Sequence, residues 1–184
     1  MNKHFALIII GTTWLAGGVS SASADEGFFS WLSPSSGQKE IAPMTDVVYN
    51  KECGSCHFPY QPGLLPEASW RQLMDPKAMG KHFGDSAELD EATRVHILNL
   101  MVAESADKSS RKRSRKIMAS LGTDVAPKRI TDIPYIKGKH SGISEALIKK
   151  NDQVQSLSYC DKCHQKAADG IYDDDSVTIP GKGR

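Results

Sequence analysis

Two five-residue segments constrain this chain more than anything else in it. They read Cys53-Gly-Ser-Cys56-His57 and Cys160-Asp-Lys-Cys163-His164, and they use every cysteine among the 184 residues. Each segment brings two thiols and an imidazole together within little more than one helical turn. That spacing suits covalent attachment of a c-type haem. The thiols meet the two vinyl groups, and the imidazole coordinates the iron from the same face. The expected attachment residues are therefore Cys53, Cys56, His57, Cys160, Cys163 and His164, holding two covalently bound haem c groups with their iron. Other uses of these residues fit less well. A zinc ribbon wants its cysteine pairs roughly 15–20 residues apart, whereas 103 residues separate Cys56 from Cys160. A thioredoxin-like pair wants a βαβ context, which neither flank offers. Two structural disulfides would leave the histidine after each pair without a reason.

The N-terminus reads as an address. Lys3 gives a positive start, Phe5 to Ala16 is mostly apolar, and Ala22-Ser23-Ala24 is a small-x-small cleavage signal before Asp25. Residues 1–24 are expected to be a signal peptide removed on export to the periplasm. The apolar stretch is short and interrupted by Gly and Thr, which argues against a spanning anchor. The mature chain is then not an integral membrane protein. Without Lys3 it carries 22 basic and 22 acidic residues. Overall charge therefore gives no support to nucleic-acid binding. The distribution is uneven. Residues 25–105 hold 6 bases and 12 acids, and residues 106–140 hold 10 bases and 3 acids. The run SSRKRSRK, Ser109 to Lys116, reads as a solvated connector or helix face, with a docking patch as the sharper alternative.

Strand signals are few, and the expected class is all-α with long loops. Thr45 or Asp46 can cap a short helix leading into the first motif. Pro59, Pro62, Gly63 and Pro66 make the next stretch a loop carrying Leu64 and Leu65. Ser69 to Met74 forms a helical turn or two, ended by Asp75-Pro76. Asp85-Ser-Ala-Glu88 reads as the start of a long helix from about Glu88 to Ala103. Ile117 to Leu121 is helical and stops at Gly122. Pro127 and Pro134 bracket an extended stretch, and Ser144 opens a short helix. The expected organisation is a haem domain at 25–105, a basic connector at 106–128 and a smaller haem domain at 129–184. The thin protein core is completed by two large apolar haem plates.

The sixth iron ligand separates an electron carrier from a gas-binding or catalytic haem. Three histidines of the mature chain lie outside the motifs: His82, His96 and His140. His82, in the loop MGKHFG, is the favoured distal ligand of the first haem, with Met79 as competitor. His140, in an irregular KGKH segment, is the nearest upstream donor for the second, because the 20 residues after His164 contain neither His nor Met. His96 lies mid-helix and reads as a packed or surface imidazole. A ligating His needs its other ring nitrogen oriented by an acceptor. The carbonyl of Pro62 or Pro66 is the expected acceptor for His57.

ECGSCHFPYQPGLLPEASW, KHFGDSAEL, RITDIPYIKGKH and YCDKCHQKAADGIYDDDSVTIP together span most of residues 45–180. On these segments the chain resembles the small periplasmic dihaem cytochromes c of bacteria. The resemblance implies an N-terminal domain like a class I cytochrome c and a smaller, irregular C-terminal haem domain. It implies bis-histidine haems, with iron ligands His57 and His82 in the first and His164 and His140 in the second. It also implies electron transfer to a soluble oxygen-binding monohaem cytochrome, or exchange with a membrane b-type cytochrome. No side chain is then catalytic. The alternatives are a dihaem enzyme of the peroxidase or nitrogen-oxide reductase type and a gas-binding haem sensor, both of which need an open coordination site.

Overall fold

Asp46 begins the first helix. Its carboxylate accepts from the Tyr49 N–H at 2.8 Å, and α1 runs Val47–Gly54, with Cys53 in its last turn. The computed structural model describes residues 40–122 and 126–181. These lie within one unit, Ser35–Arg184. The expected signal peptide at 1–24 falls outside the described residues. Five further α-helices follow: α2 Glu67–Leu73, α3 Pro76–Met79, α4 Glu91–Ala103, α5 Lys112–Ser120 and α6 Pro134–His140. Short 3₁₀ turns and loops join them. There is no strand among the described residues, only two isolated bridges, so the class is all-α. No described helix is long and apolar enough to cross a membrane.

Several boundaries differ from expectation, each for a local reason. Asp75-Pro76 ends α2 but also opens α3. The Asp75 carboxylate accepts from the N–H groups of Lys77 and Ala78, and Pro76 sits where its missing N–H costs nothing. The long helix starts at Glu91, not near Glu88, because Asp90 caps it through the Thr93 N–H at 3.0 Å. The stretch between Pro127 and Pro134 is a 3₁₀ turn over Ile130–Asp132, not an extended segment. Pro134 then opens α6, so His140 ends a helix and does not lie in irregular chain. Pro62–Leu64, expected as open loop, is a fully buried 3₁₀ turn.

The basic run takes the helix reading, one of the two that the sequence offers. It lies mostly in α5, whose Arg113, Ser114 and Ile117 are buried while Lys112, Arg115 and Lys116 face solvent. Arg113 pairs with Glu40 and donates to the Tyr172 carbonyl at 2.7 Å and the Tyr135 hydroxyl at 2.9 Å. Ser114 Oγ donates to the Gly63 carbonyl at 2.8 Å. A cation is tolerated there because an ion pair and two oxygen acceptors replace its water. The helix stops at Gly122, which has φ +57 and so takes a left-handed conformation that suits glycine.

One apolar core draws on the described residues from Ile41 to Tyr172. Ile41, Leu65, Ile97, Met101, Ile117 and Ile133 are its largest fully buried members. Phe58 and Trp70, near the first motif, pack in the same cluster as Ala167 and Tyr172, near the second. The two motifs are thereby held on a common frame.

Candidate cofactor sites

The first motif leaves α1. Cys53 is half-buried on the helix, and Cys56 is exposed in the turn beyond it. The second motif sits on the 3₁₀ turn Cys160–Lys162. It is pinned from behind by the Thr178 N–H, which donates to the Cys163 carbonyl at 3.0 Å. No disulfide joins any of the four cysteines. Burial pushes Cys53 up to about 11, with the charge of Glu52 adding to it. Burial likewise pushes Cys160 up to about 12, aided by Asp161.

Each motif histidine faces a second imidazole. The His57 and His82 rings lie 6.4 Å apart between centroids, 21° from parallel. The His140 and His164 rings lie 6.1 Å apart at 70°. An iron held between two imidazoles has metal–nitrogen bonds of about 2.0–2.1 Å. Adding about 1.1 Å from nitrogen to ring centre on each side gives about 6.3 Å between centroids. Both pairs therefore fit a single metal between their rings. Both line the same cavity of about 580 Å³, together with Cys53, Cys56, Cys160 and Cys163. Its walls include Leu64, Trp70, Met74 and Leu157, which suit an apolar cofactor.

Second-partner bonds prepare these rings. His57 Nδ1–H donates to the Phe58 carbonyl at 2.7 Å. His140 Nδ1–H donates to the Ile136 carbonyl at 2.8 Å, one turn back on α6. Both bonds leave Nε2 with its lone pair free, the form that ligates a metal. The His57 acceptor is thus its own neighbour, not Pro62 or Pro66. The Pro62 carbonyl is taken by Trp70 Nε1–H at 2.8 Å. Burial lowers the His82 pKa, with the His57 ring next in effect. Burial and then the facing His140 bring His164 down to about 4. His164 Nδ1 is buried without a hydrogen-bond partner.

Of the other candidates, His96 is not among the cavity's lining residues, while Met79 is. His96 is exposed on α4 and its Nε2 sits 3.0 Å from Asp46 Oδ2. Met79 is buried in the core, and it is His82 that faces His57. Among the described residues no three His, Cys, Asp or Glu side chains cluster to hold a bare metal ion.

Four supporting residues had no sequence signal of their own. Tyr60 stacks on His57 at 4.7 Å and 20°. Tyr172 tilts against His164 at 5.3 Å, and its hydroxyl donates to Gln61 Oε1 at 2.6 Å. Gln61 Nε2 in turn reaches the Ala167 carbonyl at 2.5 Å. Arg129 lies over Phe83, the residue after His82.

Comparison with known proteins agrees with this geometry. Residues 49–172, which include both motifs and all four facing histidines, match the family model described as dihaem cytochrome c. No curated protein matches the chain. Among solved structures, it is similar to the diheme cytochrome c of Shewanella baltica OS155 at 33% identity, with a TM-score of 0.59, covering 75% of this chain and 95% of that one. It is similar to the diheme cytochrome c of Rhodobacter sphaeroides at 35% identity, with a TM-score of 0.61, covering 72% of this chain and 100% of that one. With two attachment segments, an imidazole facing each motif histidine and a family match over most of its length, the chain belongs to the dihaem cytochrome c family and carries two covalently bound haem c groups.

Proposed function

We propose that this chain is a periplasmic electron carrier whose two haem irons are each held by two histidines. Family membership itself implies a haem-based electron carrier. The finer assignment is ours. Cys53 and Cys56 attach the first haem, with His57 and His82 as axial ligands. Cys160 and Cys163 attach the second, with His164 and His140. The first site belongs to a domain at 25–105 and the second to a domain at 129–184. The observation that carries this reading is the spacing of the two imidazole pairs, 6.4 and 6.1 Å.

When bound, each haem supplies reversible one-electron chemistry at iron. The chain supplies the rest. The Phe58 and Ile136 carbonyls fix the His57 and His140 rings and raise their donor strength. Leu64, Trp70 and Met74 keep water from the cavity wall. Two strong nitrogen donors per iron favour electron transfer over gas binding or catalysis, so no side chain is assigned a catalytic role.

The partner is a soluble oxygen-binding monohaem cytochrome or a membrane b-type cytochrome, a role that rests on the resemblance. Docking is weak and transient, as in most redox encounters. The acidic excess over residues 25–105 suits a partner with a basic face, and the on-rate then falls steeply with salt.

The ligand assignment is tested by substitution. His82→Ala should turn one haem high-spin and His140→Ala the other, while Met79→Ala leaves both low-spin. A Met79 variant that loses a low-spin haem would overturn it.

A further inference from the structure

The two sites meet at Tyr60. Its ring lies face to face with His57, 4.7 Å between centroids and 20° from parallel. Three contacts hold the residue there. Its hydroxyl donates to the Ser158 carbonyl at 2.9 Å, across 98 positions of sequence and two residues before Cys160. Its own carbonyl accepts from the Tyr49 hydroxyl at 2.6 Å. Phe58 packs edge-on at 6.0 Å and 64°. The stack is therefore anchored from both haem sites and is not a loose surface contact.

A neutral phenol presents a negative π face. Such a face attracts positive charge. An imidazole bound to ferric iron gives up more electron density than one bound to ferrous iron, so its ring is the more positive of the two. A π face stacked on that imidazole stabilises the oxidised form over the reduced form. On the reading of His57 as an iron ligand, we propose that Tyr60 is a positioning residue that holds down the reduction potential of the first haem. It does so by stacking on His57, and the bond to Ser158 keeps the ring in place. Tyr172 meets His164 at 58°, a tilted contact and not a stack, so the second haem lacks this feature.

The test compares two aromatic replacements in the mature dihaem protein. Tyr60→Phe keeps a negative ring face. Pentafluorophenylalanine at position 60 keeps the shape of that ring and reverses the charge of its face. Potentials are read for each haem by spectroelectrochemical titration. The first-haem potential should be higher in the fluorinated protein than in Tyr60→Phe, and the second should be the same in both. Equal first-haem potentials in the two proteins would overturn the proposal, as would an equal shift of both haems. The electron paramagnetic resonance spectrum of the unsubstituted protein reports separately on bis-histidine ligation. Bis-histidine signals with equal potentials would reject the role of Tyr60 alone. Absence of those signals would reject the ligand assignment beneath it.

Discussion

The guanidinium carbon of Arg129 lies 4.0 Å from the ring centre of Phe83, the residue that follows His82. Phe83 itself meets the His82 ring edge-on at 4.9 Å. It also has φ +55, a left-handed conformation costing roughly 1–2 kcal/mol for a residue with a side chain. The cation–π stack restrains this tight turn, in which Asp85 N–H returns to the His82 carbonyl at 3.2 Å. Arg129→Ala should loosen His82. The expected result is a fraction of carbon monoxide binding at the first haem and none at the second, with Arg129→Lys partly restoring the closed site. Equal behaviour of wild type and Arg129→Ala would show that the turn holds without the stack.

Arg113 and Glu40 join α5 to the first described residues, and both side chains are largely buried. Removing one partner leaves a charge without solvent or counterion, at a cost of about 3–5 kcal/mol. Glu40→Ala should therefore lower the stability of the haem-loaded protein by that order in a denaturant titration. A loss below about 1 kcal/mol, the usual value of a surface pair, would show that water reaches Arg113.

Asp46 links pH to the helix that carries the first motif. Its pKa is lowered from 3.8, chiefly by the N–H of Tyr49 at the helix start. The folded carboxylate thus stays ionised where the unfolded chain already binds a proton. Its contribution is present above about pH 4 and is lost as pH falls through the lowered value. Asp46→Asn keeps a capping oxygen but cannot titrate. Its melting temperature should fall less than that of the wild type between pH 5 and pH 3. Parallel curves would contradict the assignment.

Gly170 closes the second motif segment. Its φ is +75, and a Cβ built on it would lie 2.1 Å from the Ile41 carbonyl oxygen. That approach lets the Gly170 carbonyl accept from the Glu40 and Ile41 N–H groups at 2.8 and 3.1 Å. Gly170→Ala combines backbone strain with a clash against main chain, so destabilisation of several kcal/mol is expected. A melting temperature within about 2 °C of wild type, a small fraction of the shift such a loss implies, would contradict this.

What could be read from the sequence follows how local each cause is. The Asp46 cap and the Gly122 stop depend on a few neighbouring residues, and both were legible. The proximity of His82 to His57 and of His140 to His164 followed from how few histidines the chain offers. The α4 start is ambiguous in sequence because Asp85 and Asp90 are both good caps, and it is Asp90 that accepts from the Thr93 N–H at 3.0 Å. KGKH carries no helical pattern, so the sequence alone reads His140 as lying in irregular chain. Pro134 opens the helix instead, and the Lys137 N–H donates back to the Ile133 carbonyl at 2.8 Å. Arg113 was hidden in a run of like charges, since its partner Glu40 lies 73 positions away. Tyr60 was invisible for the same reason, its hydroxyl partner being 98 positions distant.

The most direct measurement is optical. The mature dihaem protein is reduced, and its spectrum is recorded with and without carbon monoxide. If His82 and His140 close both irons, neither haem spectrum shifts. A shift at either haem would mean a weak or absent sixth ligand, and it would contradict the reading of this chain as a bis-histidine electron carrier.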